Sequence, residues 1–139
     1  MVIVDVQKLH PQAKIPARAH ADDLGLDLSA LEADLLLPGE VVQVRTGVAL
    51  RAPSCGFLLK ERSGMARRGI SVLGGVIDPG YTGEVVVLLC NHGRETLRIA
   101  PGDRVAQAVP VLHARVSISE VRELPATERG AGGFGSTGR

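Results

Sequence analysis

The chain has 139 residues, 45% hydrophobic and 22% charged, with a formal net charge of +1. That length suits one domain with one core. No apolar run reaches the roughly 18–20 residues that cross a bilayer, and the balanced charge argues against a broad nucleic-acid footprint, which needs clustered Lys and Arg. Aromatics are scarce, only Phe57, Tyr81 and Phe134 with no Trp, so the expected core is built from Val, Leu, Ile and Ala.

The opening stretch Met1–Val6 lacks a basic region before a long apolar run and does not read as a signal peptide. Val2, Val4 and Val6 alternate as in a strand, and Gly25-Leu26-Asp27-Leu28 reads as an apolar strand holding one carboxylate. Val42 and Val44, then Val48 and Leu50, continue the pattern. A short helix is expected near residues 63–68, with Ser63 as its N-cap. Asp78-Pro79-Gly80-Tyr81 reads as a type II turn at a hairpin tip, because Pro and Gly suit its two central positions. The run 84–90 (EVVVLLC) is apolar on both faces, as expected of a strand buried on both sides or against another subunit. Arg104 to Val109 alternates, with Gln107 on the Val105/Val109 side. Turn signals at Pro38-Gly39, Pro53-Ser54, Asn91-His92-Gly93 and Pro101-Gly102 separate the runs. Many short strands so punctuated predict an all-β, jelly-roll-like barrel or sandwich over residues 1–126. Residues 127–139, rich in Gly, Ser and Thr, are expected to form a flexible C-terminal arm.

Cys55 and Cys90 form no C-x-x-C pair, and the four histidines lack metal-ligand spacing, so two buried thiols in a reducing cytoplasm are expected. Several segments carry chemistry beside a plainer meaning. Asp78 and Tyr81 suit a turn and a strand, or a general base and the floor of a sugar pocket. Arg62-Ser63-Gly64 suits a helix start or a phosphate seat. Gly130, Gly132 and Gly135 satisfy G-x-G-x-x-G without the strand-turn-helix that a dinucleotide site needs. Their amides, with Arg129, Ser136, Thr137 and the Phe134 ring, could still wrap an anion and stack on a base; a polar tail is the plainer meaning.

Taken in order, GLDLSA from Gly25, RSGMA from Arg62, GVIDPGYTGE from Gly75, PGDRVAQ from Pro101 and RGAGGFGSTG from Arg129 resemble the five motifs of the homotrimeric, all-β dUTPase family. The resemblance implies hydrolysis of dUTP to dUMP and pyrophosphate, which limits uracil in DNA and supplies dUMP for thymidylate synthesis. It implies Asp78 as the base that activates water for attack on the α-phosphorus, and Gln107 as a contact to phosphate or that water. Tyr81 would pack on the deoxyribose, and Gly75, Val76 and Ile77 would read uracil through their backbone. Arg62, Ser63 and Gly64 would hold phosphates, with Arg129, Gly135, Ser136 and Thr137 gripping the terminal ones and Phe134 stacking on the base. Mg²⁺ would ride mainly on the triphosphate, with Asp27 touching it through water. The family trimer shares each active site among subunits; no nucleic-acid or membrane partner is implied. Gly80, the short Leu73-Gly74-Gly75 stretch, Leu24 and the acidic His20-Ala21-Asp22-Asp23 depart from the family pattern.

Three rivals make different predictions. A dCTP deaminase of the same fold would release ammonia. A silent nucleotide sensor would bind without producing pyrophosphate. A purely structural jelly roll would gain no thermal stability from any nucleotide.

Overall fold

The computed structural model describes residues 1–133, and the positions of Phe134, Gly135, Ser136 and Thr137 lie outside it. Eleven strands and one helix alternate with short turns: β1 Asp5–Lys8, β2 Leu26–Ser29, β3 Asp34–Leu36, β4 Val41–Arg45, β5 Val48–Arg51, β6 Cys55–Lys60, α1 Ser63–Arg67, β7 Ile70–Leu73, β8 Val76–Ile77, β9 Val86–Asn91, β10 Leu97–Ile99 and β11 Arg104–Leu112. The all-β expectation with one short helix holds. Two larger sheets, ordered β2-β11-β6-β8 and β4-β9-β7, are joined by the pairs β1-β5 and β10-β3, and every pairing is antiparallel.

The core is aliphatic, as the composition requires. Leu28, Leu36, Leu50, Leu89, Val48, Val85, Val87 and Val105 are fully buried in one continuous cluster. Each such side chain gains roughly 1.5–3 kcal/mol from leaving water. Phe57 packs into that cluster, and Cys55 and Cys90 are buried and unpaired. Burial pushes the Cys55 thiol above its usual range. Two buried polar side chains are fully partnered. Thr46 donates to the Val85 carbonyl, and Asn91 donates to the carbonyls of Leu36 and Glu95 while accepting from the Gly93 amide.

The doubly apolar run resolves into β9, the middle strand of its sheet. Val85, Val87 and Leu89 face the core, whereas Val86 and Leu88 are half-buried on the outer face. The alternation of Val2, Val4 and Val6 does not become one long strand. β1 starts only at Asp5, because its sole partner β5 spans four residues and offers nothing opposite Val2. Val4 and Val6 still pack against the core.

The Asp78 turn differs from expectation in two ways. The Tyr81 amide donates to the Asp78 carbonyl at 3.0 Å, so a turn exists. Gly80 is not among the glycines with positive φ, however, and a type II turn requires one at that position. Nor is this a hairpin tip: β8 pairs with β6 and β9 pairs with β4 and β7, so the chain leaves one sheet at Asp78 and re-enters the other. Gly74 and Gly75 do adopt left-handed φ, +63° and +80°. Those angles, together with a Leu59 carbonyl 2.8 Å from where a Gly75 Cβ would stand, account for the glycines without any ligand.

Candidate active site

Three separated sequence segments meet because of strand register. On β11, Gln107 lies opposite Asp27 of the edge strand β2 on one side and opposite Lys60 of β6 on the other. Arg62 follows two residues beyond Lys60, at the entrance to α1. A bulge between Arg104 and Ala106 completes the arrangement. Residues three apart in a regular strand face opposite ways. Here Val105 and Ala106 are both buried, so Arg104 and Gln107 emerge on the same face. The simple alternation expected for this run is corrected accordingly: beyond the bulge the buried side belongs to Ala106 and Ala108.

The result is a cleft of about 460 Å³ lined by Ala19, Asp23, Leu24, Gly25, Asp27, Arg62, Ser63, Gly64 and Gln107. Asp27 is its electrostatic centre. Its Oδ1 accepts from Arg62 Nε at 2.9 Å and its Oδ2 from an Arg104 guanidinium nitrogen at 3.1 Å. A fork so held presents a fixed, always-charged face to an anion. Gln107 Nε2 donates to the Glu61 carbonyl at 3.1 Å. Its side chain fills the space above Gly25, where a Cβ would collide with Gln107 Oε1 and stand 2.9 Å from Gln107 Cβ. The Glu61 carboxyl is held below its usual range, chiefly by a hydrogen bond from its own amide, with the Val72 amide and Lys60 adding to it.

Ser63 is not the N-cap. Arg62 occupies that place with an extended backbone (φ −80°, ψ 149°), its carbonyl accepting from Met65 and Ala66, and no side chain caps the helix. Ser63 and Gly64 thus form the exposed first turn, whose amides have no partner inside a helix. A Cβ on Gly64 would meet nothing within 4 Å. The first turn of α1 is open to a ligand at the cleft.

Asp78 and Tyr81 lie elsewhere. Asp78 borders a separate, largely apolar groove of about 290 Å³ with Phe57, Ile77, Pro79, Leu112 and His113. The segment carrying it rests closely on β6, since a Cβ at Gly56 would stand 2.5 Å from the Ile77 carbonyl oxygen. Tyr81 is 44% exposed and donates its hydroxyl to the Glu84 carbonyl at 2.9 Å. Arg129 is exposed and turned on its own segment, with Nε donating to the Gly132 carbonyl at 3.1 Å. One chain therefore gathers the first, second and fourth motifs and holds the third apart.

The dUTPase family model matches residues 11–138. The chain belongs to the dUTPase family. A deoxyuridine 5'-triphosphate nucleotidohydrolase of Gloeothece citriformis is 44% identical over 137 residues, covering 96% of this chain and 94% of that protein. One from Clostridium acetobutylicum is 40% identical over 144 residues, covering 99% and 98%. Among solved structures, a variant of the Staphylococcus bacteriophage 80alpha dUTPase with dUpNHpp superposes with a TM-score of 0.90 at 27% identity, covering 99% of both chains. A phage phi11 dUTPase variant, described as coordinating a structural Mg(II) ion, gives 0.80 at 26% identity over 87% of this chain and 97% of that one.

Within this dUTPase framework, Ala19 and Asp23 line the cleft and Arg104 reaches Asp27 at its edge, three residues to which sequence reasoning assigned no role. Nothing local in the sequence marked Arg104, since an interval of three puts it on the opposite face from Gln107 until the bulge intervenes. For the acidic turn, the signal was Asp23 three residues after His20: Asp23 accepts from the His20 amide at 2.8 Å and returns its own amide to the His20 carbonyl at 3.1 Å. Among the described residues, no group of three His, Cys, Asp or Glu could hold a metal directly. No helix among them is long and apolar enough to cross a membrane.

Proposed function

We propose that this chain hydrolyses dUTP to dUMP and pyrophosphate. The observation that carries the reading is the cleft in which Arg62, Ser63, Gly64, Asp27 and Gln107 converge, a cationic fork and open amides suited to a phosphate chain. Asp78 takes a proton from a water whose oxygen attacks the α-phosphorus. The bond from that phosphorus to the bridging oxygen breaks, and its electron pair leaves with pyrophosphate. Gln107 holds a phosphate oxygen or the attacking water. Gly75, Val76 and Ile77 read the uracil edge, and Tyr81 packs on the deoxyribose.

A triphosphate brings several negative charges to a chain of net charge +1, and Mg²⁺ carried by the substrate would supply the remaining neutralisation. Asp27 suits an outer contact through water rather than direct ligation, because both its oxygens already accept from arginines. Arg129 with Gly135, Ser136 and Thr137 would clasp the distal phosphates and Phe134 would cover the base, residues 127–139 acting as a closing arm.

The separation of Asp78 from the Arg62 cleft supports a homotrimer in which one subunit's Asp78 and Tyr81 complete another's cleft. Exposed apolar side chains support subunit contact as well. Val116, Ile118, Val121 and Leu124 follow β11 uncovered, and Val2, Val4, Val6, Ile15 and Leu26 line an apolar groove of about 500 Å³. Two unpaired cysteines suit a reducing cytoplasm.

The test compares pyrophosphate release from dUTP by the wild-type chain and by Asp78→Asn. Turnover is expected to vanish in the variant while nucleotide binding persists. Undiminished hydrolysis would remove Asp78 from the role of base. Parallel assays with UTP, dTTP and dCTP read sugar and base selectivity together, and ammonia from dCTP would transfer the chain to the deaminases.

A further inference from the structure

Tyr81 sits in a seat made by the next three residues, and the seat is moored to the opposite sheet. The ring lies across the bare face of Gly83: a Cβ there would stand 2.5 Å from Tyr81 Oη, 2.7 Å from Cζ and 3.1 Å from Cε2, and those are its three nearest atoms. The hydroxyl ends on the Glu84 carbonyl at 2.9 Å. The Glu84 side chain, 20% exposed, turns the other way. Its Oε1 accepts from the Gly47 amide at 2.8 Å, and Arg45 Nε lies 3.2 and 3.1 Å from its two oxygens. Gly47 can offer that amide because it turns with φ +69° between β4 and β5. Val85 continues the mooring, its amide donating to the Val48 carbonyl at 2.8 Å and its carbonyl accepting from Thr46.

An aromatic side chain 44% exposed would ordinarily exchange rotamers in solvent. This one is held at its foot by a glycine and at its tip by a carbonyl whose own residue is clamped by a charged pair and an amide. We propose that Gly83 and Glu84 are positioning residues that set the tilt of the Tyr81 ring and thereby the discrimination between deoxyribose and ribose. The inference rests on the reading that Tyr81 packs on the sugar. Neither residue touches substrate in this scheme; both act through the ring.

The sequence supplies its own probe, because Tyr81 is the only tyrosine and there is no tryptophan. Tyrosine emission and its anisotropy in the full chain report that ring alone. The variants are Gly83→Ala, Glu84→Ala and Glu84→Gln, each measured for kcat/KM on dUTP and UTP and for thermal midpoint. Gly83 does not have positive φ, so Ala is accepted by the backbone and the closest atoms its methyl meets are those of the ring. Gly83→Ala and Glu84→Ala are expected to change the tyrosine emission and to lower the dUTP-over-UTP preference by about threefold to tenfold, the worth of one oriented hydrogen bond. Glu84→Gln keeps an oxygen for the Gly47 amide and is expected to recover most of the preference. An unchanged preference in Gly83→Ala despite altered emission, or an equal loss on both substrates, would overturn the inference. Should Glu84→Ala unfold, Gly83→Ala carries the test with the mooring intact. Tyr81→Ala separates the two layers: if it too leaves the preference unchanged, the sugar-packing reading fails; if it abolishes the preference while Gly83→Ala does not, only the positioning role fails.

Discussion

Replacing Asp27 by Asn keeps the shape of the cleft and removes the charge on which two arginines converge. The Asp27–Arg62 pair is the more sheltered, with side chains 19% and 32% exposed, while Arg104 is 51% exposed. Exposed pairs contribute about 0.2–1 kcal/mol in double-mutant cycles, and sheltered ones more, because less water screens them. We therefore expect a coupling of about 1–1.5 kcal/mol for Asp27 with Arg62 and about 0.5 kcal/mol or less for Asp27 with Arg104. Together these lower the thermal midpoint of Asp27→Asn by about 5–8 °C for a chain of this size. The assay is a pair of double-mutant cycles, Asp27→Asn with Arg62→Gln and with Arg104→Gln. Each is followed by thermal unfolding at fixed protomer concentration, because assembly also shifts the midpoint. In about 1 M salt the Arg104 coupling should vanish first, the screening length there being only about 3 Å. Equal couplings, or a larger one for Arg104, would refute the argument that shelter ranks these pairs.

Gly25→Ala should fold, since Gly25 has no positive φ to lose, but should displace Gln107 from the cleft. We expect about 1–3 kcal/mol of destabilisation and a fall in kcat larger than the change in KM, read by steady-state kinetics and a melt. The depressed Glu61 carboxyl favours the folded state while ionised. That stability is present above about pH 4.3 and lost as pH falls through the lower folded value, so Glu61→Gln should flatten the acid limb of a midpoint-against-pH curve. An unaltered limb would exclude Glu61 as a contributor. Deleting residues 129–139 should leave the melt unchanged and cripple dUTP hydrolysis; full activity would remove the arm from the mechanism.

Periodicity sufficed where a strand obeys two-fold alternation between long partners. β4 and the stretch Val85–Leu89 follow it, whereas β5 buries Val48, Ala49 and Leu50 in succession; a core without large aromatics left Phe57 as the one ring to bury. It failed where partner length or topology intervenes. Val2 and Ile3 have the strand pattern but no strand opposite them. Asp78-Pro79-Gly80 has the composition of a hairpin turn, yet the strands on either side belong to different sheets, which local chemistry does not encode. Ser63 has the right side chain for a cap, but the extended residue that ends β6's exit is Arg62, so the cap falls one position earlier. The spread of the motifs between two faces of one chain could not be read from their order along it. It depends on registers such as Gln107 opposite Asp27, fixed by the whole sheet.

The bulge on β11 has a consequence for which length changes this dUTPase tolerates. A flat strand delivers two side chains to one face only at even spacing, and Arg104 and Gln107 are separated by an odd one. Val105 is the extra residue that corrects the parity. Removing it would restore an ordinary ladder opposite Ser29 and Leu28 while both polar side chains kept their facing, at the expense of one buried valine. Adding a residue between Ala106 and Gln107 would instead put the newcomer at the cleft and send Gln107 into the core. A one-residue deletion and a one-residue insertion, within two positions of each other, therefore have opposite outcomes for what the cleft contains.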